Sequence, residues 1–123
     1  MALAATRALH DQIRAAHPAL YVRKAIHELH VRLDAWHEDL DDDDRKTPAF
    51  YAQNVRVRAK IYLLEKALDG EVPLDVRQYR ERLDQDLFEI FVPGEFVWDP
   101  RLQKVFPKNS CWWLYGHLLE EHH

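Results

Sequence analysis

Residues 22–40 read VRKAIHELHVRLDAWHEDL, and this stretch decides the fold prediction. Its apolar side chains recur at alternating steps of four and three residues. They are Val22, Ile26, Leu29, Leu33, Trp36 and Leu40. Because such spacing puts side chains on one face of an α-helix, the stretch predicts an amphipathic helix from about Ala19 to Leu40 that packs along a partner helix.

The same spacing predicts further helices on both sides of this one. We expect helices over residues 3–16, 48–68 and 75–92, with Thr47-Pro48 starting the second and Gly70 capping its C-terminus. Asp75 is a candidate cap for the third. The apolar stripe expected over residues 48–68 is Phe50, Asn54, Val57, Ile61, Leu64 and Leu68, and over residues 75–92 it is Val76, Tyr79, Leu83, Leu87 and Ile90. A polar residue such as Asn54 within a packed stripe can fix register or oligomeric state.

The last thirty residues are rich in aromatic side chains and are interrupted by Pro100 and Pro107. We expect a loop with a helical turn near Arg101–Val105 and a final helix from about Ser110, with a brief strand over Glu95–Trp98 as the alternative for that part. Large aromatic side chains would then close one end of the bundle. The predicted fold class is all-α: a single domain over residues 1–123, built as a compact bundle of four to five helices with an aromatic-rich C-terminal segment.

Composition supports a globular helical protein. The chain has only 3 glycines, and its 6 prolines fall between the periodic stretches. No apolar run approaches the roughly 20 residues that span a bilayer, and the N-terminus lacks the pattern of a secretory signal, so we expect a cytoplasmic protein without membrane contact. The single cysteine, Cys111, cannot form an internal disulfide, and its apolar neighbours predict a buried side chain.

A stripe of histidines and aspartates lies one position beyond the apolar face of residues 22–40. His27, His30, Asp34 and His37 recur at steps of three and four, and Asp41 continues them. Imidazole and carboxylate groups on one helix face can bind a divalent transition metal when other helices add ligands. We call these four residues the histidine stripe. The simpler alternative is the polar flank of an amphipathic helix, and a pH-sensitive contact surface is a third interpretation.

Basic residues follow the acidic run Asp41–Asp44, which we expect to be a solvated connection. Arg56, Arg58 and Lys60 form a candidate partner-binding patch for an acidic protein or for RNA. With 17 basic and 21 acidic residues, the formal net charge of −4 makes the whole chain a poor phosphate-backbone binder. Nucleic acid is therefore the less favoured partner.

The sequence contains no glycine-rich phosphate loop, nucleophile elbow, His-Glu-x-x-His or Cys-x-x-Cys motif, so it predicts no catalytic residues and no required cofactor. The favoured hypothesis is a non-enzymatic helical binding module that acts through protein–protein contacts. An inhibitor, an immunity-type partner and a structural subunit all fit it, and a homodimer is a natural first form. The alternatives are a metal-binding helical bundle that uses the histidine stripe and an RNA- or DNA-binding accessory protein. His122 and His123 receive no role.

Overall fold

The computed structural model describes residues 15–16, 18–41 and 48–119. This part of the chain is mostly helical, with three α-helices followed by a small antiparallel sheet of two strands. The helices are α1 (Pro18–Asp41), α2 (Pro48–Leu68) and α3 (Leu74–Glu89), and the strands are β1 (Phe91–Phe96) and β2 (Tyr115–Leu118). Short 3-10 turns lie at Asp69–Glu71, Pro100–Lys104 and Trp112–Leu114.

The predicted apolar face of α1 is confirmed over its second half. Leu29, Leu33, Trp36 and Leu40 are all buried, as the four-and-three spacing requires. Near the start of α1 the buried residues are Tyr21 and Ala25, whereas Val22 and Ile26 are only half-buried. The apolar face of α1 packs against α2, which returns antiparallel after the short connection.

In α2 the predicted stripe is correct only for the C-terminal half. Ile61, Leu64 and Leu68 are buried, but Phe50 is 49% exposed and Asn54 and Val57 are only half-buried. The core positions of the first half are instead Tyr51, Val55, Arg58 and Ala59. The physical reason is that the C-terminal aromatic segment packs against the N-terminal half of α2. It covers a helix face adjacent to the predicted apolar stripe.

Contacts from the C-terminal segment hold that face of α2. The Tyr51 hydroxyl donates a hydrogen bond to the carbonyl oxygen of Trp113, and the indole Nε1 of Trp98 donates to the carbonyl oxygen of Ala52 at 2.8 Å. Phe106 packs its ring against Tyr62 and Trp113. The aromatic-rich segment therefore forms part of the core rather than a lid over its end.

The ends of the helices follow proline more closely than the predicted caps. Pro18 and Pro48 occupy the first helical positions of α1 and α2, where the missing N–H has no helical partner to lose. At the end of α2 the left-handed residue is Asp69, with φ of 52°, rather than Gly70. Pro73 precedes α3 without a side-chain cap, so the prediction that Asp75 caps this helix is wrong.

The predicted final helix from Ser110 is wrong, and an all-α bundle of four to five helices is not confirmed. Residues 112–114 form one 3-10 turn, and β2 follows directly. β2 pairs antiparallel with β1, with Phe91 opposite Leu118 and Phe96 opposite Tyr115 across an irregularity in β1. The strand that we considered over Glu95–Trp98 overlaps β1 only at Glu95 and Phe96, because β1 begins at Phe91 and ends at Phe96. Local periodicity missed the sheet because its two strands pair residues that lie 19 to 27 positions apart in the sequence.

Three predicted features lie outside the described residues: most of the helix over residues 3–16, the connection of Asp42–Asp44 with its Thr47 cap, and the terminal His122 and His123. Among the helices that are described, none combines the length and apolarity needed to cross a membrane.

We expect the pairing of β1 with β2 to require a glycine at position 116. Gly116 has a φ of 157°, and a Cβ atom there would lie 2.1 Å from the carbonyl oxygen of Val92 and 2.6 Å from the Phe91 ring. The Val92 carbonyl belongs to the paired strand and cannot shift without disturbing the sheet. Gly116→Ala should therefore lower the free energy of unfolding by about 1–3 kcal/mol. Urea denaturation measures this change.

Gly70→Ala is the matched control, since a Cβ atom at Gly70 meets nothing within 4 Å. It should change the free energy of unfolding by no more than about 0.5 kcal/mol. Equal losses in the two variants would contradict the described pairing of β1 with β2.

Candidate functional site

Arg58 lies inside the protein and is only 4% exposed, so it cannot belong to a surface patch. Its Nε donates to Asp84 Oδ1 at 2.8 Å and its Nη2 donates to Asp84 Oδ2 at 2.9 Å, which makes a two-pronged ion pair between α2 and α3. The guanidinium also lies 4.6 Å from the ring centroid of Trp113. The prediction that Arg58 contacts a partner molecule is therefore corrected, because its guanidinium is buried and is paired with Asp84.

A second arginine extends this pair into a network. Arg80 Nε donates to both carboxylate oxygens of Glu65, at 3.1 and 3.2 Å, and Arg80 Nη1 lies 3.4 Å from Asp84 Oδ2. Burial alone would lower the pKa of Arg80, but its hydrogen bonds and charge interactions with Glu65 and Asp84 outweigh that effect and raise it. Two arginines and two carboxylates balance one another, so the network adds no net charge to the α2–α3 contact.

The other two members of the predicted basic patch remain at the surface. Arg56 and Lys60 are both exposed on α2. Without Arg58 they are two separate cations one helical turn apart. Such a pair neutralises too few phosphates to carry nucleic-acid binding, because the affinity of such binding rises with the number of phosphates contacted.

The histidine stripe is divided between a polar cluster and open solvent. His27 and His30 are exposed on α1. The Tyr79 hydroxyl, on α3, donates to Asp34 Oδ1 at 2.9 Å and lies 3.3 Å from His37 Nδ1. Burial, followed by the hydrogen bond to Asp34, raises the pKa of Tyr79 to about 12, so the hydroxyl keeps its proton at neutral pH.

This geometry does not favour a metal site. Within residues 15–16, 18–41 and 48–119, no three histidine, cysteine, aspartate or glutamate side chains come together as ligands. The residue that α3 brings to the stripe is a protonated tyrosine rather than the additional carboxylate or imidazole that a bundle metal site needs. Beside it lies an open groove of about 410 Å³, lined by Asp75, Gln78, Tyr79 and Arg82.

Cys111 is fully buried, as its apolar neighbours predicted. Burial raises the pKa of the thiol to about 11, which keeps it protonated at neutral pH. Because the thiolate is the nucleophilic form, Cys111 does not provide a reactive centre.

Sequence reasoning missed Phe88, the most exposed large apolar side chain among the described residues. Phe88, near the C-terminus of α3, is 69% exposed and meets the edge of Trp112 with ring centroids 5.6 Å apart. Trp112 in turn packs against Phe91 at 5.2 Å. We call Phe88, Phe91 and Trp112 the aromatic patch. The available signal was that Phe88 falls outside the stripe of Val76, Leu83 and Leu87, so an amphipathic α3 had to expose it.

We expect the buried pair to matter far more than its exposed neighbour. Arg58→Met leaves the largely buried Asp84 with Arg80 as its one remaining cation among the described residues, and removing one partner of a buried pair costs about 3–5 kcal/mol. Arg56→Met, two residues away on the surface, should change the free energy of unfolding by no more than about 0.5 kcal/mol. Urea denaturation of both variants tests this, and similar losses would show that Arg58 is not held as described.

Comparisons with known proteins add no relative from which a function could be carried over. No family model, no curated protein and no solved structure matches the chain.

Proposed function

We propose that this chain is a non-enzymatic binding module that acts through protein–protein contacts and uses the aromatic patch as the centre of its contact surface. The observation that carries this proposal is the exposure of Phe88, a residue that is 69% exposed while its ring contacts Trp112. Leaving a large aromatic ring in water forgoes the stabilisation that its burial would give. A partner that covers the patch would recover it, and tryptophan is among the residues most enriched at binding hot spots.

The patch is held in place before any partner arrives. Phe91 contacts the Tyr51 ring, with centroids 6.1 Å apart, and Tyr51 is bonded to the Trp113 carbonyl next to Trp112. The Leu119 amide donates to the Ile90 carbonyl at 2.7 Å and ties the end of β2 to the end of α3. A surface that is already ordered loses less conformational entropy on binding, so more of the contact energy remains as affinity.

Charge next to the patch suggests the chemistry of its partner. The exposed residues that flank Phe88 on α3 include Gln85, Asp86 and Glu89, which give the apolar centre a polar and mostly acidic border. Interfaces commonly combine an apolar centre with a charged rim whose potential is complementary to that of the partner. We therefore propose a protein partner that presents an apolar anchor flanked by lysine or arginine. An inhibitor, an immunity-type partner and a structural subunit would each use such a contact.

The test compares two exposed apolar residues on the same helix. Phe88→Ala removes the centre of the patch, whereas Leu74→Ala, at the other end of α3, removes a side chain that is 58% exposed. Proteins recovered with the immobilised wild-type chain from its own cells are quantified for each variant, and the affinity of a recovered protein is then measured with purified components. Circular dichroism confirms that both variants are folded.

We expect a partner that binds wild type and Leu74→Ala equally and binds Phe88→Ala about 30-fold more weakly, which corresponds to the loss of a hot-spot residue. Tryptophan fluorescence should change when this partner binds, because Trp112 becomes covered. Partners that bind both variants equally would contradict the proposed role of the patch.

A further inference from the structure

Charge is distributed unevenly along the exposed side of α1. Before Val31 the exposed basic and histidine side chains are Arg23, Lys24, His27 and His30, and after Val31 the exposed acids are Asp34, Glu38 and Asp41. Glu28, paired with Arg32 at 3.5 Å, is an exposed acid that precedes Val31.

This polarity does not serve the helix itself. The backbone dipole makes acids favourable near a helix N-terminus and bases favourable near its C-terminus. α1 has no acid in its first turn and no base in its last turn, while Asp41, paired with His37 at 3.3 Å, lies at its C-terminal end. This distribution of charge therefore weakens the isolated helix.

One exposed line of side chains on α1 has the geometry of a helix contact. Its members follow one another at alternating steps of four and three residues, which keeps them on a single face. They are Leu20, Lys24, His27, Val31, Asp34, Glu38 and Asp41, and all are exposed. We call this line the outer face of α1. Val31, at its centre, is an aliphatic side chain with 50% of its surface in water.

The central part of the outer face, from Lys24 to Glu38, is complementary to itself when reversed. If two copies of α1 lie antiparallel with Val31 opposite Val31, then Lys24 of each copy faces Glu38 of the other, and His27 faces Asp34. Lys24 and Glu38 form no ion pair with any other residue in the described part of the chain, so both are free to pair across such a contact. The antiparallel arrangement also places each helix dipole beside the opposite end of the other.

We propose that this chain forms a homodimer in which the outer face of α1 packs antiparallel against the same face of a second copy, about a twofold axis at Val31. A twofold contact must use one surface that complements itself, and the reversal of charge around Val31 satisfies this requirement. The contact runs along a helix of 24 residues, or about 36 Å. Its apolar centre is small, so the dimer is held mainly by exposed charges and weakens as salt is added.

This proposal is independent of the aromatic patch, which lies on α3 and the segment that follows it. A partner bound at Phe88 can exist without the dimer, and the dimer can exist without that partner. A negative result for the dimer therefore does not refute the proposed role of the aromatic patch, and the reverse is also true.

Charge reversal tests the register of the dimer. In Lys24→Glu both symmetric copies of the pair become repulsive, and in Glu38→Lys they do so again. The double variant restores both pairs with their signs exchanged. Sedimentation equilibrium at low salt should show association of the wild type, at least tenfold weaker association of each single variant, and recovery in the double variant.

Either of two results overturns the proposal: a wild-type chain that stays monomeric at high concentration, or a dimer that is insensitive to these substitutions. The second result would place the association elsewhere, for example at the aromatic patch.

Cross-linking tests the position of the twofold axis. Val31→Cys brings two thiols together across the axis, and mild oxidation should convert most of that variant into a covalent dimer. Leu74→Cys is the matched control, with a comparable exposure of 58%, and should remain largely monomeric. The native Cys111 is fully buried and does not interfere.

A Val31→Cys chain that stays monomeric overturns the proposal, and labelling with a maleimide identifies the reason. Slow labelling would show that another part of the same chain, such as residues 1–14, covers the outer face. Rapid labelling would show that the face stays open to solvent.

Discussion

The buried guanidinium of Arg58 holds together α2, α3 and the C-terminal aromatic segment. Its two bonds to Asp84 connect α2 to α3, and its stacking distance of 4.6 Å from Trp113 connects α2 to the C-terminal segment. A cation taken out of water is tolerated only where such partners replace its hydration. The positions of Asp84 and Trp113 are therefore linked, because moving either would expose or unpair the charge. The two-pronged geometry also demands alignment of the carboxylate with the planar guanidinium, so it selects one rotation of α3 about its axis.

This constraint extends to the surface. With Trp113 fixed above Arg58 and bonded through its carbonyl to Tyr51, the next residues reach β1 in the register that pairs Phe96 with Tyr115. Trp112, one residue before Trp113, then lies outward against Phe88. The aromatic patch that we propose as a binding surface is thus supported by the same charged pair that organises the core. The outer face of α1 contacts α3 through the hydrogen bond from Tyr79 to Asp34 and shares no residue with the aromatic patch, so the two proposed contacts can be tested separately.

How much the sequence could predict depended on whether a feature is local. Leu29, Leu33, Trp36 and Leu40 were predicted correctly because one helix face packs on one neighbour, and the proline-initiated helix starts depend only on the residues beside them. The burial of Arg58 could not be predicted, because its partner Asp84 lies 26 residues away and is one of many acids in the chain. The strand at Tyr115–Leu118 was missed for the same reason. Its partner strand is distant in the sequence, and Gly116 is required only because that strand packs against it.

The candidate site was less predictable than the fold. The histidine stripe lies on α1 as expected, but Tyr79 of α3 contacts Asp34 and His37. Among the residues that the structure describes, no group of three metal ligands forms. Conversely, the sequence analysis gave Phe88 no role because it lies outside the apolar stripe. It is nevertheless the most exposed large apolar side chain described. Surfaces depend on what remains uncovered after packing, and periodicity alone does not report that.

Nuclear magnetic resonance of the Arg58 side chain tests the central claim most directly. In ¹⁵N-labelled protein at neutral pH, the Nε–H of Arg58 should give a resolved signal that exchanges slowly with water and shows nuclear Overhauser contacts to the indole ring of Trp113. An Arg58 signal that exchanges as rapidly as those of the exposed arginines, without contacts to Trp113, would show that the guanidinium lies in solvent and would contradict the account.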